Sequence, residues 1–176
     1  MSTYKKTLFS VIFTALMTAL EIVFSRFLSL SLWNTKIGFS FLPVLIAAAI
    51  FGPVCGAAVG GLGDLLGAVL FPIGPYFPGF TVTAALTGLV FGLVFKNGIT
   101  PVKTVIAVLS TELVFTLLVN SLWISILYGA PYKQLLITRC LQAAIMAVVK
   151  LPVIFIIIKP LSLQIKRLIF KPQNIK

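Results

Sequence analysis

The sequence predicts an all-α membrane protein, a single domain over residues 1–176 built as a bundle of six transmembrane helices, and three observations predict it. Of its 176 residues, 60% are hydrophobic and only 10% are charged, with a mean hydropathy of +1.15. A soluble domain carries about a quarter charged residues to solvate its surface, so lipid must wet most of this one. The apolar residues also gather into runs near the length of a bilayer-spanning helix, about 20 residues. Finally, Pro, Gly and Lys separate the runs, and no run alternates in polarity as the strands of a membrane barrel do.

The first helix is expected at about 7–27, its apolar part ending at Arg26, with a polar break at 31–38, SLWNTKIG. The second, short at 39–51, stops at Phe51-Gly52-Pro53. Glycine ends a helix and proline suits the first turn of the next, so a tight helix-to-helix turn is expected there. The third covers 53–71. FPIGPYFPGF follows, with Pro72, Pro75 and Pro78, and reads as a structured loop. The fourth covers 79–95 and ends at Lys96-Asn97-Gly98; the fifth runs over 101–127 from Pro101 to the break at Tyr128-Gly129-Ala130-Pro131. The sixth covers 135–158. Lys159-Pro160 ends its apolar part, and 161–170 continues as an interfacial helix within a basic tail, 159–176. No secretory cleavage site is expected.

Six spans place both termini on one side. Lys5, Lys6, Lys96, Lys103, Lys159, Lys166, Arg167, Lys171 and Lys176 fall there; Arg26, Lys36, Lys133 and Arg139 fall on the other. The positive-inside rule then puts both termini in the cytoplasm, in a multi-pass protein of the plasma membrane. The net charge of +11 is an orientation signal on such a chain and not a nucleic-acid surface.

Composition excludes more. There is no histidine, and the three acids are Glu21, Asp64 and Glu112. Nucleophile–His–Asp catalysis and His-based metal sites are excluded, and no convergent catalytic motif suggests an enzyme. No cofactor is expected. Cys55 and Cys140 stand singly in apolar runs and read as small core residues. Asp64 and Glu112 lie near the middle of helices 3 and 5 and read as structurally paired or buried, although charge at that depth also suits a proton relay. A direct Glu21–Arg26 pair is not expected, five residues setting them apart in angle.

The outer third is richer in chemistry. Trp33, Tyr76, Trp123, Tyr128 and Tyr132 collect at that end, more than an anchoring belt shared by both faces would place there. Asn120 and Trp123 share one face of helix 5, and Arg139 and Gln142 share one face of helix 6. A short connection makes these helices antiparallel neighbours. Aromatic walls with a few convergent polar groups are the composition of a small-molecule site. Phe77, Phe80 and Trp123 are candidate walls for a flat ring, Asn120 and Gln142 candidate edge partners, and Tyr128 and Arg26 further lining residues. Arg139 offers a planar donor fork for a carboxylate or carbonyl; the bland alternative is that it snorkels to headgroups. The basic outer side favours an anionic ligand over a cationic one such as thiamine, with Lys36 and Lys133 in the outer loops attracting a charged tail.

Small residues form a further pattern. Ala15 and Ala19 make a small-xxx-small pair on helix 1, and Gly52, Gly56, Gly60, Gly61, Gly63 and Gly67 crowd helix 3. Both permit close helix approach. For helix 3, packing inside the bundle is preferred; for helix 1, internal packing and an external partner helix stay equally open on spacing alone.

The segments SRFLSL at 25–30, IGFSFLP at 37–43, FGPVCGAAVGGLGDLLGAVLFPIGPYFPGFTVTAALTG at 51–88 and NSLWISILYGAPY at 120–132, with Arg139 and Gln142, make the chain resemble the S components of energy-coupling factor (ECF) transporters, in particular the folate-specific ones. FPIGPYFPGFT is the specific part; the likeness spans about 7–158. The resemblance implies a six-helix substrate-binding subunit with high affinity for folate or a related pterin vitamin. It also implies docking through Ala15 and Ala19 onto a transmembrane coupling protein with two ATPase subunits, and toppling of the subunit to carry its pocket inward. The chain has no GxxxxGK[ST] phosphate loop of its own. Arg26 sits seven residues after Ala19, so a straight helix 1 aims it along the docking face, and Arg139 ranks above it. The alternative reading is a stand-alone secondary transporter of a small organic anion, driven by ions through Asp64 and Glu112; no repeat between the halves supports it.

Overall fold

Each apolar run is helical in the structure, a computed structural model that describes residues 3–31 and 36–170. Trp33 and Asn34 lie outside the described residues. The elements are α1 (Thr3–Arg26), a hairpin of β1 (Ser29–Ser31) and β2 (Lys36–Gly38), α2 (Phe41–Phe51), α3 (Pro53–Leu70) and α4 (Pro78–Phe95). Then come α5, made of Pro101–Ser110, a π-helical stretch Thr111–Val119 and Asn120–Tyr128, and α6, made of Tyr132–Val153, a π-helical stretch Ile154–Ile158 and Lys159–Phe170. Five segments are long and apolar enough to cross a membrane: Thr7–Arg26, Pro53–Leu70, Pro78–Phe95, Pro101–Tyr128 and Tyr132–Ile165. The 11 residues of α2 rise only about 16 Å, half of a hydrocarbon core about 30 Å thick. It is therefore the short sixth helix of the bundle.

The breaks do what their chemistry dictates. Pro53, Pro78 and Pro101 occupy the first turns of α3, α4 and α5, where a missing N–H costs nothing. Gly52 turns the chain between α2 and α3 at φ 89°, a conformation open to glycine, and its N–H donates to the Ala48 carbonyl at 3.0 Å. Pro152 lies inside α6, and the π-helical turn at Ile154–Ile158 follows it, accommodating the lost backbone bond without ending the helix. The helix also continues through Lys159-Pro160. The described residues flanking the polar break form strands: Leu30 pairs with Ile37 and Ser31 with Lys36 in an antiparallel ladder.

α3 and α4 pack most closely. A side chain at Gly56 would meet the Gly88 carbonyl at 2.6 Å, so the backbones touch, as expected where van der Waals contact drives helix association in lipid. Several hydroxyls bond along their own helices: Thr14, Thr18 and Thr87 donate to carbonyls four residues back at 2.8–2.9 Å. Phe41, Leu45, Phe91, Phe95, Val108 and Ile154 form an apolar core shared by α2, α4, α5 and α6, with Ile37 of the hairpin packed against it. At the hairpin end the helices part around a cavity.

Candidate functional site

That cavity measures about 380 Å³, within the range of small-molecule sites. α1 supplies Glu21, Ser25 and Arg26; the hairpin supplies Lys36; α3 supplies Asp64. The α3–α4 loop and α4 add Tyr76, Phe77, Phe80, Thr83 and Thr87, α5 adds Asn120, Ile124 and Tyr128, and α6 adds Arg139. Every helix but α2 thus contributes a side chain, and Ser40, just before α2, completes the ring.

The floor and walls divide by chemistry. On one side, Phe77 lies against Phe80 with centroids 6.1 Å apart and against Trp123 at 5.4 Å. Trp123 does not itself line the cavity; its indole N–H donates to Thr83 Oγ1 at 3.0 Å, and it contacts the lining residue Phe77. On the other side, Arg26 approaches Asp64 with 4.0 Å between their charged atoms and also donates to the Asp64 backbone carbonyl at 3.4 Å. Asp64 accepts from Thr81 Oγ1 at 2.7 Å. Lys36 Nζ donates to Ser25 Oγ at 2.7 Å. Burial, and after it the neighbouring Arg26 charge, holds the Lys36 ammonium below the usual lysine range.

Between these sides sit polar atoms without partners. Arg139 is 5% exposed, and among the described residues nothing accepts from its Nε or Nη1. Asn120 Oδ1 is likewise unbonded. A buried polar atom is normally paired, so Arg139 and Asn120 hold unused hydrogen-bonding capacity beside the cavity.

Several sequence expectations change here. Arg139, Asn120, Phe77, Phe80, Tyr128 and Arg26 all line the cavity. Gln142 does not: its Nε2 donates to the Lys36 carbonyl at 2.6 Å, tying α6 to the hairpin. Nor does Trp123, which contacts the lining residues Phe77 and Thr83. Arg26 does not follow the docking face, because its long side chain crosses α3 at Gly67, where a Cβ would stand 2.8 Å from Nε. Lys36 belongs to the cavity and not to an exposed loop, since the hairpin folds it inward onto Ser25; Lys133 is exposed. Cys140 is exposed on α6 and not a core residue, whereas Cys55 contacts Ser10 at 3.2 Å; neither is in a disulfide.

Composition did not single out Lys150. It forms a buried ion pair with Glu112, an acid held at the start of the π-helical stretch of α5. Its signal was available: a lone lysine in the middle of an apolar run needs an acidic partner. Glu112 and Asp64 are both paired with cations, in line with the structural reading of these acids.

Comparisons with known proteins identify the family. The family model for the ECF-type riboflavin transporter, S component, matches residues 5–167. A folate transporter FolT of Clostridium novyi (strain NT) is 42% identical over 136 residues, covering 77% of this chain and 79% of its own length. A FolT of Leuconostoc mesenteroides subsp. mesenteroides is 29% identical over 120 residues, 67% of this chain and 64% of its own. Among solved structures, one described as FolT bound with folic acid is similar at a TM-score of 0.78 and 28% identity, covering 83% of this chain and 90% of that one. With a family match across nearly its whole length and a relative this similar, the chain belongs to the S components of ECF-type transporters.

Proposed function

We propose that this S component binds folate or a related pterin vitamin with high affinity at the outer face of the plasma membrane and delivers it through a coupling protein and two ATPase subunits, performing no catalysis itself. The observation that carries the ligand assignment is the cavity: aromatic rings along one side, with unpartnered atoms of Arg139 and Asn120 among its lining residues. The family model bears the name of riboflavin, and the relatives bear that of folate. Electrostatics favours the second. Three cations, Arg26, Lys36 and Arg139, line the cavity against two acids, Glu21 and Asp64. The excess positive charge suits the carboxylates of a folate tail, whereas riboflavin is uncharged. Calorimetric titration of the purified protein with folate, riboflavin and thiamine tests this; folate alone is expected to bind tightly, and a preference for riboflavin would overturn the assignment.

Docking is proposed on α1. Ala15 and Ala19 are exposed, and they line an apolar groove of about 450 Å³ between α1 and α3, room for a partner helix to approach closely. The positive-inside rule supports cytoplasmic termini. The ion-coupled reading loses its support, since Asp64 and Glu112 are each engaged by a cation. Vesicles holding this chain alone are expected to show no gradient-driven folate uptake.

A further inference from the structure

The chain has three acids. Asp64 is engaged by Arg26 and Thr81, and Glu112 by Lys150. Glu21 has no such cation in salt-bridge contact among the described residues. It is 7% exposed, and its Oε2 has no hydrogen-bond partner. Its position is built into the packing: a side chain at Gly63 would overlap its carboxylate, so only glycine on α3 lets α1 seat it there. Glu21 lines the main cavity and also a smaller one of about 160 Å³, whose other polar lining is Ser40, Thr87 and Lys150. Glu21 therefore borders both cavities.

A carboxylate only accepts hydrogen bonds. The pyrimidine edge of a pterin offers adjacent donors, the ring N3–H and the 2-amino group, which match two carboxylate oxygens. The corresponding edge of a flavin offers one N–H flanked by two carbonyl oxygens, which set lone pairs against the carboxylate. Resting on the folate reading above, we infer that Glu21 reads the amino-pyrimidinone edge of the pterin head and is the residue that excludes the flavin edge. A site built around a buried hydrogen-bonding group rejects analogues that cannot satisfy it far more strongly than an apolar wall rejects a change of shape.

The test compares heads that differ at one position. Pterin-6-carboxylate and its 2,4-dioxo counterpart, lumazine-6-carboxylate, are each made to compete with labelled folic acid on the purified protein. The pterin is expected to bind about ten- to a hundredfold tighter, the worth of a charged hydrogen bond. Glu21→Gln presents one acceptor and one donor, so the preference is expected to collapse or invert. Glu21→Asp keeps an acceptor-only group and is expected to keep the order of preference. Gel filtration and circular dichroism establish that each variant is folded. A folded Glu21→Gln with the parental preference overturns the inference, as does loss of the preference in Glu21→Asp if the Gln variant does not fold. These outcomes leave the folate reading standing. Failure of the parent protein to bind folic acid at all would instead refute that reading.

Discussion

Replacing Arg139 by Ala should separate ligand binding from stability, because its Nε and Nη1 bond nothing among the described residues. Truncating one member of a buried ion pair costs about 3–5 kcal/mol, since the partner is left charged and alone. Arg139 leaves no such partner: the neighbouring acid, Glu112, keeps its contact with Lys150. The ligand-free variant is therefore expected to melt no lower than the parent. Binding should respond differently. At 5% exposure, the guanidinium offers a charge-assisted hydrogen bond to a carbonyl or carboxylate of the ligand, worth about 1.5–3 kcal/mol. That corresponds to a loss of about ten- to over a hundredfold in affinity. The assay pairs calorimetric titration with folate and thermal unfolding of the ligand-free protein in detergent. Lys133→Ala is the control: that residue is exposed, its field is screened by salt, and its effect should be slight and confined to low ionic strength. Equal, small effects from Arg139→Ala and Lys133→Ala would refute the reasoning and move the anion site to Arg26 and Lys36. A large drop in melting temperature would show that the guanidinium is held by protein groups after all.

Lys150→Ala should destabilise the protein by about 3–5 kcal/mol by stranding Glu112, and Glu112→Gln in that background should recover much of the loss, both read by apparent melting temperature. Ala19→Trp is expected to abolish folate uptake by cells expressing the full transporter while the isolated protein still binds folate; an equal loss of binding would make the groove an internal packing site. With Cys55 and Cys140 replaced by Ser, a cysteine at Lys133 should react with an impermeant reagent from outside, and one at Asn97 should not. The reverse pattern would invert the proposed topology.

Composition and hydropathy alone were enough to determine the membrane class and the helices, because lipid imposes a constraint that reads directly as apolar runs. Pro53, Pro78, Pro101 and Gly52 marked turns for local reasons of backbone geometry, so those boundaries were legible too. Part of the site was as well: helical spacing put Arg139 and Asn120 toward a common space, and they line one cavity. Three-dimensional packing decided the rest. The Lys150–Glu112 pair joins residues 38 apart, and Gln142 reaches a carbonyl 106 residues away. Such contacts depend on the register between antiparallel helices, which periodicity within one helix does not encode. Nor does it encode direction: Arg26 reads as a docking-face residue on a helical wheel, and turns inward because α3 presents Gly67 where a larger residue would block it. Glu21 gains its place in the same way, through Gly63. The sequence determined which groups must be buried in lipid; the packing of α1 on α3 decided that Glu21 and Arg26 line the cavity.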